Sequence, residues 1–135
     1  MINYSINNTE HKVTFCKSNK LRGISDSIES VNSDKNILLI YDDKIEKRIV
    51  KSIFSELKIS GCRIYSLQIK GDKFNKNEKF LFKILDFLIK HKFTKKSVIF
   101  SCGGGVVGDV AALASSLYLR GTIYFSIPST MTAVV

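Results

Sequence analysis

A chain of 135 residues, 44% apolar and 24% charged, has the length and balance of one ordinary globular domain with a buried core. No apolar run reaches the roughly 18–20 residues of a bilayer-spanning helix. The opening Met1-Ile2-Asn3-Tyr4-Ser5 has no basic stretch followed by an apolar one, so neither a membrane span nor a secretory leader is expected and the default compartment is the cytoplasm. The net charge of +9 comes from lysines spread along the chain, which speaks for solvated helix faces and attraction of anionic, phosphorylated substrates, with no nucleic-acid partner expected.

In chain order, apolar and polar positions alternate around Tyr4, Ile6, Val13 and Phe15, with Asn7-Asn8 between them, which predicts a β-hairpin. Leu21, Ile24, Ile28 and Val31 stand at helical spacing and predict a helix over 21–31. Asn36 to Tyr41 is a continuous apolar run, the pattern of a strand buried on both faces of a parallel sheet. Asp42-Asp43 then opens a helix running through Leu57, with Ile45, Ile49, Ile53 and Leu57 as its apolar stripe and an aspartate favouring its start; Gly61 ends the unit. Arg63 to Ile69 reads as the next strand and Gly71-Asp72 as a turn. An amphipathic helix follows from Asn77 to His91, carrying Phe80, Leu81, Ile84, Leu85 and Leu88 inward. Ser97 to Cys102 is a third apolar strand, Val107 to Leu119 a helix of small residues, and Thr122 to Ile127 a fourth strand ended by the single proline, Pro128. Strands and helices alternating over short connections predict an α/β domain, a Rossmann-like and mostly parallel sheet flanked by helices, behind an N-terminal hairpin. Neither a repeat nor a linker divides it, so 1–135 is expected to be one domain. Its last residues, Thr132-Ala133-Val134-Val135, are apolar ones that call for a covering partner, and the expectation is a truncation point within a longer protein.

Three cysteines in no C-x-x-C pair read as reduced thiols. Cys102 beside the glycines is expected to be a small buried residue ending a strand, not a nucleophile. His11 and His91 stand far apart, and no metal site built from this chain is expected.

The chemically informative segment is the glycine loop between the third strand and the small-residue helix. Gly103-x-Gly105-x-x-Gly108 has the dinucleotide-binding spacing: glycines allow a tight turn and a close backbone approach to a pyrophosphate, and the helix start adds favourable charge. The plainer alternative is a glycine turn kept for close strand–helix packing. Two features depart from the common dinucleotide plan. The loop follows the third of the apolar strands, and about 20 residues on stand Ser129 and Thr130 where an acid would hold a ribose. Asp42, at the carboxyl end of the first apolar strand, is the available ribose partner, on the edge where ligands gather in open α/β sheets.

Gly-Gly-Gly-Val-Val-Gly-Asp at 103–109, Tyr-Leu-Arg-Gly at 118–121 and Ile-Pro-Ser-Thr at 127–130 together resemble the sugar-phosphate cyclase superfamily, most closely the 3-dehydroquinate synthase family. The resemblance covers the whole chain, strongly from Ser97 onward, and implies that this is the family's N-terminal NAD-binding part, without its helical metal-binding domain. It implies cofactor contacts at Gly103, Gly104, Gly105, Val106, Val107, Gly108 and Asp109, and at Ser129 and Thr130, which stand where the family has Pro-Thr-Thr. It also implies a ribose contact at Asp42 and a substrate-phosphate contact at Arg120, supplied in some members across a dimer interface. The family's Gly-Glu-x-x-Lys segment is altered to Gly71-Asp72-Lys73-Phe74-Asn75-Lys76. Lys76 keeps the family distance to the glycine loop, whereas Asp72 sits one residue early and is shorter than glutamate.

A whole enzyme of this family is implied to be a cytoplasmic lyase of the shikimate pathway, and a homodimer. It would convert 3-deoxy-D-arabino-heptulosonate 7-phosphate to 3-dehydroquinate and phosphate through transient oxidation by NAD, with a divalent zinc or cobalt held outside this chain. The fragment is expected to bind NAD without full activity. Alternatives are another cyclase of the 2-deoxy-scyllo-inosose synthase type, a metal-dependent alcohol dehydrogenase, which the Arg-Gly and Ile-Pro-Ser-Thr pairing disfavours, or a non-catalytic nucleotide-binding module.

Overall fold

The structure is a computed structural model and describes residues 2–6, 9–13, 28, 34–59 and 61–129. Strands β1 (Ile2–Ile6) and β2 (Thr9–Val13) pair antiparallel from Ile2↔Val13 to Ile6↔Thr9, which is the expected hairpin. A separate four-stranded sheet contains β3 (Asn36–Asp42), β4 (Arg63–Ile69), β5 (Val98–Gly103) and β6 (Ile123–Pro128). It is parallel throughout, in the spatial order β4-β3-β5-β6. Helices α1 (Lys47–Ile59), α2 (Glu78–Lys90) and α3 (Gly105–Leu117) make the crossovers, with single 3-10 turns before α2 (Lys73–Asn75) and after α3 (Tyr118–Arg120).

The two central strands explain the apolar runs. Ile37, Leu38, Leu39 and Ile40 are fully buried, and β5 is buried at every position. Side chains alternate across a strand, so the run feeds two cores. Leu38, Ile40 and Ile99 pack with Ile84 and Leu88 of α2 and with Val107, Ala111 and Ala114 of α3. Ile37, Leu39, Val98 and Phe100 pack on the other face with Ile53 and Leu57 of α1 and with Ile28. The result is a three-layer α/β/α arrangement, in which the small residues of α3 let it lie close to the sheet. Ile28 is helical; the rest of the helix expected over 21–31, and Phe15, lie outside the described residues.

The helix expected at Asp42 begins five residues later. Asp42 continues β3 opposite Ile69, the Asp43 N–H donates to the Ile69 carbonyl at 2.9 Å, and the Asp42 carboxylate accepts the Lys44 N–H at 3.1 Å. An aspartate that caps its own turn competes with helix formation. Of the predicted stripe, Ile53 and Leu57 are fully buried, Ile45 is partly covered in the turn and Ile49 is 40% exposed. The glycine-loop helix begins two residues earlier than predicted, at Gly105, and ends at Leu117, because Leu119 (φ 49°) and Arg120 (φ 64°) turn left-handed. The expectation for α2 holds to the cap: the Asn77 side chain accepts the Phe80 N–H, and His91 closes the far end. Among the described residues no helix is long and apolar enough to cross a membrane.

Candidate functional site

Chain direction in the sheet reverses between β3 and β5: from β3 the next strand goes to one side, and β5 and β6 go to the other. Loops diverge at such a switch point and leave a crevice at the carboxyl ends of the strands. Asp42 ends β3 and Gly103 ends β5, so these two residues flank it. The packing here is close. A Cβ on Gly103 would lie 2.9 Å from the Val107 Cβ and 3.2 Å from the Asp42 Cβ. A Cβ on Gly71 would lie 1.9 Å from Asp42 Oδ2. Asp42 itself is only 7% exposed; its Oδ1 accepts the Lys44 N–H and, at 3.4 Å, the Gly71 N–H.

Gly103 and Gly71 are therefore glycines because Asp42 and Val107 leave no room for a side chain. Gly105 and Gly108 are different. A Cβ on Gly105 would meet nothing within 4 Å, one on Gly108 only the Tyr124 hydroxyl oxygen at 3.9 Å, and neither has a positive φ. The packing explanation thus accounts for Gly103, leaves Gly105 with open space in front of it and sets Gly108 in ordinary contact range of Tyr124. Both belong to the start of α3, where Gly104 is an N-cap without a side chain and the first turn carries no acid. The helical ladder is entered by the Gly108 N–H donating to the Gly104 carbonyl at 3.1 Å. Helix geometry leaves the amides of Gly105, Val106 and Val107 without an intrahelical acceptor, at the positive end of the helix dipole. Val107 is fully buried, backbone included, so the free amides with access to solvent are those of Gly105 and Val106.

Around this loop the structure gathers most of the residues singled out in the sequence. Lys76 Nζ is 2.6 Å from Asp109 Oδ2, a pair that links the segment before α2 to α3 and is more than half exposed at both ends. Such a pair is worth no more than about 1 kcal/mol and opens readily. The Ser129 N–H donates to the Gly103 carbonyl at 2.9 Å, drawing the end of β6 against the loop. Asp72 Oδ1 accepts the Phe74 N–H at 3.0 Å and so caps the 3-10 turn beside the crevice. Thr130 lies outside the described residues.

Arg120 is not brought to this site. It follows α3, whose 13 residues carry the chain back across the sheet. At 1.5 Å per residue it lies about 20 Å away, at the amino edge. It is exposed, with no ion pair to any described residue. Cys102 is 2% exposed, and burial, then the charge of nearby Asp42, pushes its thiol up to about 11. It stays protonated near neutrality and is the inert strand-end residue expected. Among the described residues no group of three or more His, Cys, Asp or Glu is placed to hold a metal ion.

Sequence reasoning missed two elements of the site. The close approach of Gly71 to Asp42 has no linear signal beyond a glycine two residues past the end of β4. The pair Ser101 and Tyr124, hydrogen-bonded beneath Gly108, had no linear signal, because only the β5–β6 register sets them on one face.

The family described as 3-dehydroquinate synthase N-terminal matches residues 66–135, just over half of the chain. A 3-dehydroquinate synthase of Clostridium kluyveri is 29% identical over 134 residues, which are 99% of this chain and 37% of the relative. The chain spans roughly a third of the length of the curated relatives it matches. Its fold is similar to that of a 2-epi-5-epi-valiolone synthase from Streptomyces hygroscopicus solved with NAD+ and Zn2+ bound, at a TM-score of 0.70 and 19% identity over 94% of this chain and 35% of that one. It is also similar to a 2-deoxy-scyllo-inosose synthase complexed with carbaglucose-6-phosphate, NAD+ and Co2+, at a TM-score of 0.68 and 21% identity over 79% of this chain and 30% of that one. With its glycine-lined switch point and this match, the chain belongs to the 3-dehydroquinate synthase N-terminal family.

Proposed function

We propose that the chain is the NAD-binding part of a sugar-phosphate cyclase of the 3-dehydroquinate synthase type. The whole protein would act on 3-deoxy-D-arabino-heptulosonate 7-phosphate and release phosphate. The observation that carries the reading is Gly105: neither neighbours nor backbone torsions require glycine there, and it stands at a helix start with its own amide and that of Val106 free and part-exposed. Those amides suit a pyrophosphate. Asp42 Oδ1 is occupied by two backbone donors, which fixes the carboxylate and leaves Oδ2 to accept from ribose hydroxyls. Lys76, once released from Asp109, adds a positive charge at the same edge. Ser129 and Thr130 are the remaining cofactor contacts, and Asp72 braces the turn that carries Lys76. When bound, NAD supplies reversible hydride acceptance at an alcohol carbon of the substrate.

The divalent ion of the family is assigned to residues outside this chain. Arg120, on the opposite edge, is assigned to the phosphate site of a second copy in a homodimer. Spanning roughly a third of its curated relatives' length, the chain alone is expected to bind NAD without turnover; phosphate release at an enzyme-like rate from purified chain, substrate, NAD and zinc would refute this.

The binding role is tested by Gly105→Ala. A methyl group there meets no atom of the protein and favours helix, so the urea midpoint stays level or rises. The same methyl intrudes between the amides and a phosphate, and NAD affinity measured by calorimetric titration falls by about tenfold, the loss of roughly one good hydrogen bond. An unchanged affinity sinks the reading.

A second cyclase chemistry, of the 2-deoxy-scyllo-inosose type, is favoured by one observation: Asp72 is engaged in capping its own turn instead of standing one residue later as a free glutamate. Stabilisation of the NAD complex by a hexose 6-phosphate, and not by the heptulosonate phosphate, would select it.

A further inference from the structure

Beneath the glycine loop runs a short chain of hydroxyl groups that the cofactor contacts do not use. The Tyr124 hydroxyl lies 3.1 Å from the Gly108 carbonyl and 2.7 Å from Ser101 Oγ, and Ser126 Oγ lies 3.4 Å from Ser101 Oγ. The proton directions follow from chemistry. A carbonyl only accepts, so the phenol gives its single proton to Gly108, and its oxygen accepts the proton of Ser101. Ser101 is 1% exposed, and the register puts Ser101 opposite Ser126 and Ile99 opposite Tyr124 on one face of β5 and β6. The chain therefore points from the sheet into the second turn of α3.

That turn needs holding. Glycine at 105 and 108 costs up to about 1 kcal/mol each in helix propensity, and the N-cap, Gly104, has no side chain to stiffen the start. Yet the amides of Gly105 and Val106 are useful to an anion only when fixed in direction.

We propose that Tyr124 is a positioning residue for the nucleotide site: its hydroxyl, held by Ser101, pins the Gly108 carbonyl to the sheet and so sets the pitch of the helix start whose amides receive the pyrophosphate. The proposal rests on the reading of this edge as an NAD site and deepens it. Tyr124 touches no cofactor in this account; it acts through α3.

Three variants test it: Tyr124→Phe, Ser101→Ala and the double variant. Each is measured by urea unfolding, by amide hydrogen exchange of the ligand-free protein and by NAD titration. Tyr124→Phe leaves the buried Ser101 hydroxyl with only its long 3.4 Å contact to Ser126 and lowers stability. The double variant removes both polar partners and recovers most of that loss. A merely structural tyrosine would have affinity recover together with stability. A positioning tyrosine leaves the double variant stable but with exchange at residues 108–112, the first hydrogen-bonded amides of α3, faster by about tenfold, α2 unchanged, and NAD affinity still weaker by a similar factor, the scale of one lost hydrogen bond. Ser101→Ala, which keeps the ring and loses its anchor, falls between. Unchanged exchange at the start of α3, or affinity that tracks stability, overturns the role of Tyr124 alone. A wild-type protein that exchanges as expected but has no NAD affinity overturns the functional reading itself, and the role with it.

Discussion

At the scale of single residues, Asp42 organises its surroundings by size as much as by charge. Its carboxylate fills the place where Gly71 would carry a side chain, and its Cβ limits Gly103. Gly71→Ala must therefore drive the carboxylate off its two amide donors or move β4, and it is expected to cost about 1–3 kcal/mol, as overpacking in a tight site does. In an Asp42→Ala background the clashing atoms are gone and the same substitution is expected to be near neutral. Urea unfolding of the four proteins in this cycle measures the coupling, and a cost that persists without Asp42 would show that the clash is not its cause. The same cycle separates the two kinds of glycine here. Gly71 and Gly103 answer to the protein's own packing; Gly105 answers to nothing inside it.

At the scale of elements, the two edges of the sheet are joined differently. On the carboxyl edge backbone amides are left free. On the amino edge a carboxylate gathers its neighbours: Asp34 accepts the hydroxyls of Thr94 and Ser97 and the Asn36 N–H, tying the start of β3 to the connection between α2 and β5. Burial pushes the Asp34 carboxyl up, but the hydrogen bonds from Ser97, Thr94 and Asn36 outweigh it and hold the group below its ordinary 3.8. A carboxyl lowered by folding adds stability that is present above its unfolded value and disappears as pH falls through the folded one. Asp34→Asn is thus expected to weaken the fold at neutral pH by about 0.5–1.5 kcal/mol, because the amide keeps one oxygen acceptor and only Ser97 among the donors is buried. It should also flatten the loss of stability below about pH 4. Chemical unfolding across the acid range reads both, and an acid limb as steep as that of the wild type would remove Asp34 from the account. Tyr118 plays the matching part between helices, donating to the Phe93 carbonyl at 2.8 Å and so fastening the end of α3 to the end of α2.

At the scale of the whole molecule, the length of α3 decides what one chain can do. Its 13 residues place the glycine loop at one edge of the sheet and Arg120 at the other. Arg120→Ala is accordingly expected to change NAD affinity less than about twofold, well under the effect of one hydrogen bond. A larger loss in the titration would mean that the arginine reaches its own chain's cofactor. The positive charge does not settle the matter either: a net +9 attracts a phosphorylated ligand toward the protein, but the local geometry determines where it stops.

Much of this was legible in the linear sequence because it depends on local periodicity. The runs that became β3 and β5 declared their burial, Asn77 and His91 marked the ends of α2, and the glycine spacing located the loop. The linear pattern misjudged Asp42, taken for a helix start, because a side chain that accepts amides from its own turn and from Gly71 looks in sequence like an N-cap. Only the tertiary structure decided which glycines serve packing and which face open space, that Arg120 stands apart from the loop, and that Tyr124 meets Gly108 through Ser101. Those are matters of strand order and register between segments far apart in the chain. Periodicity within a segment fixes which face of an element is apolar, but not which element that face will meet.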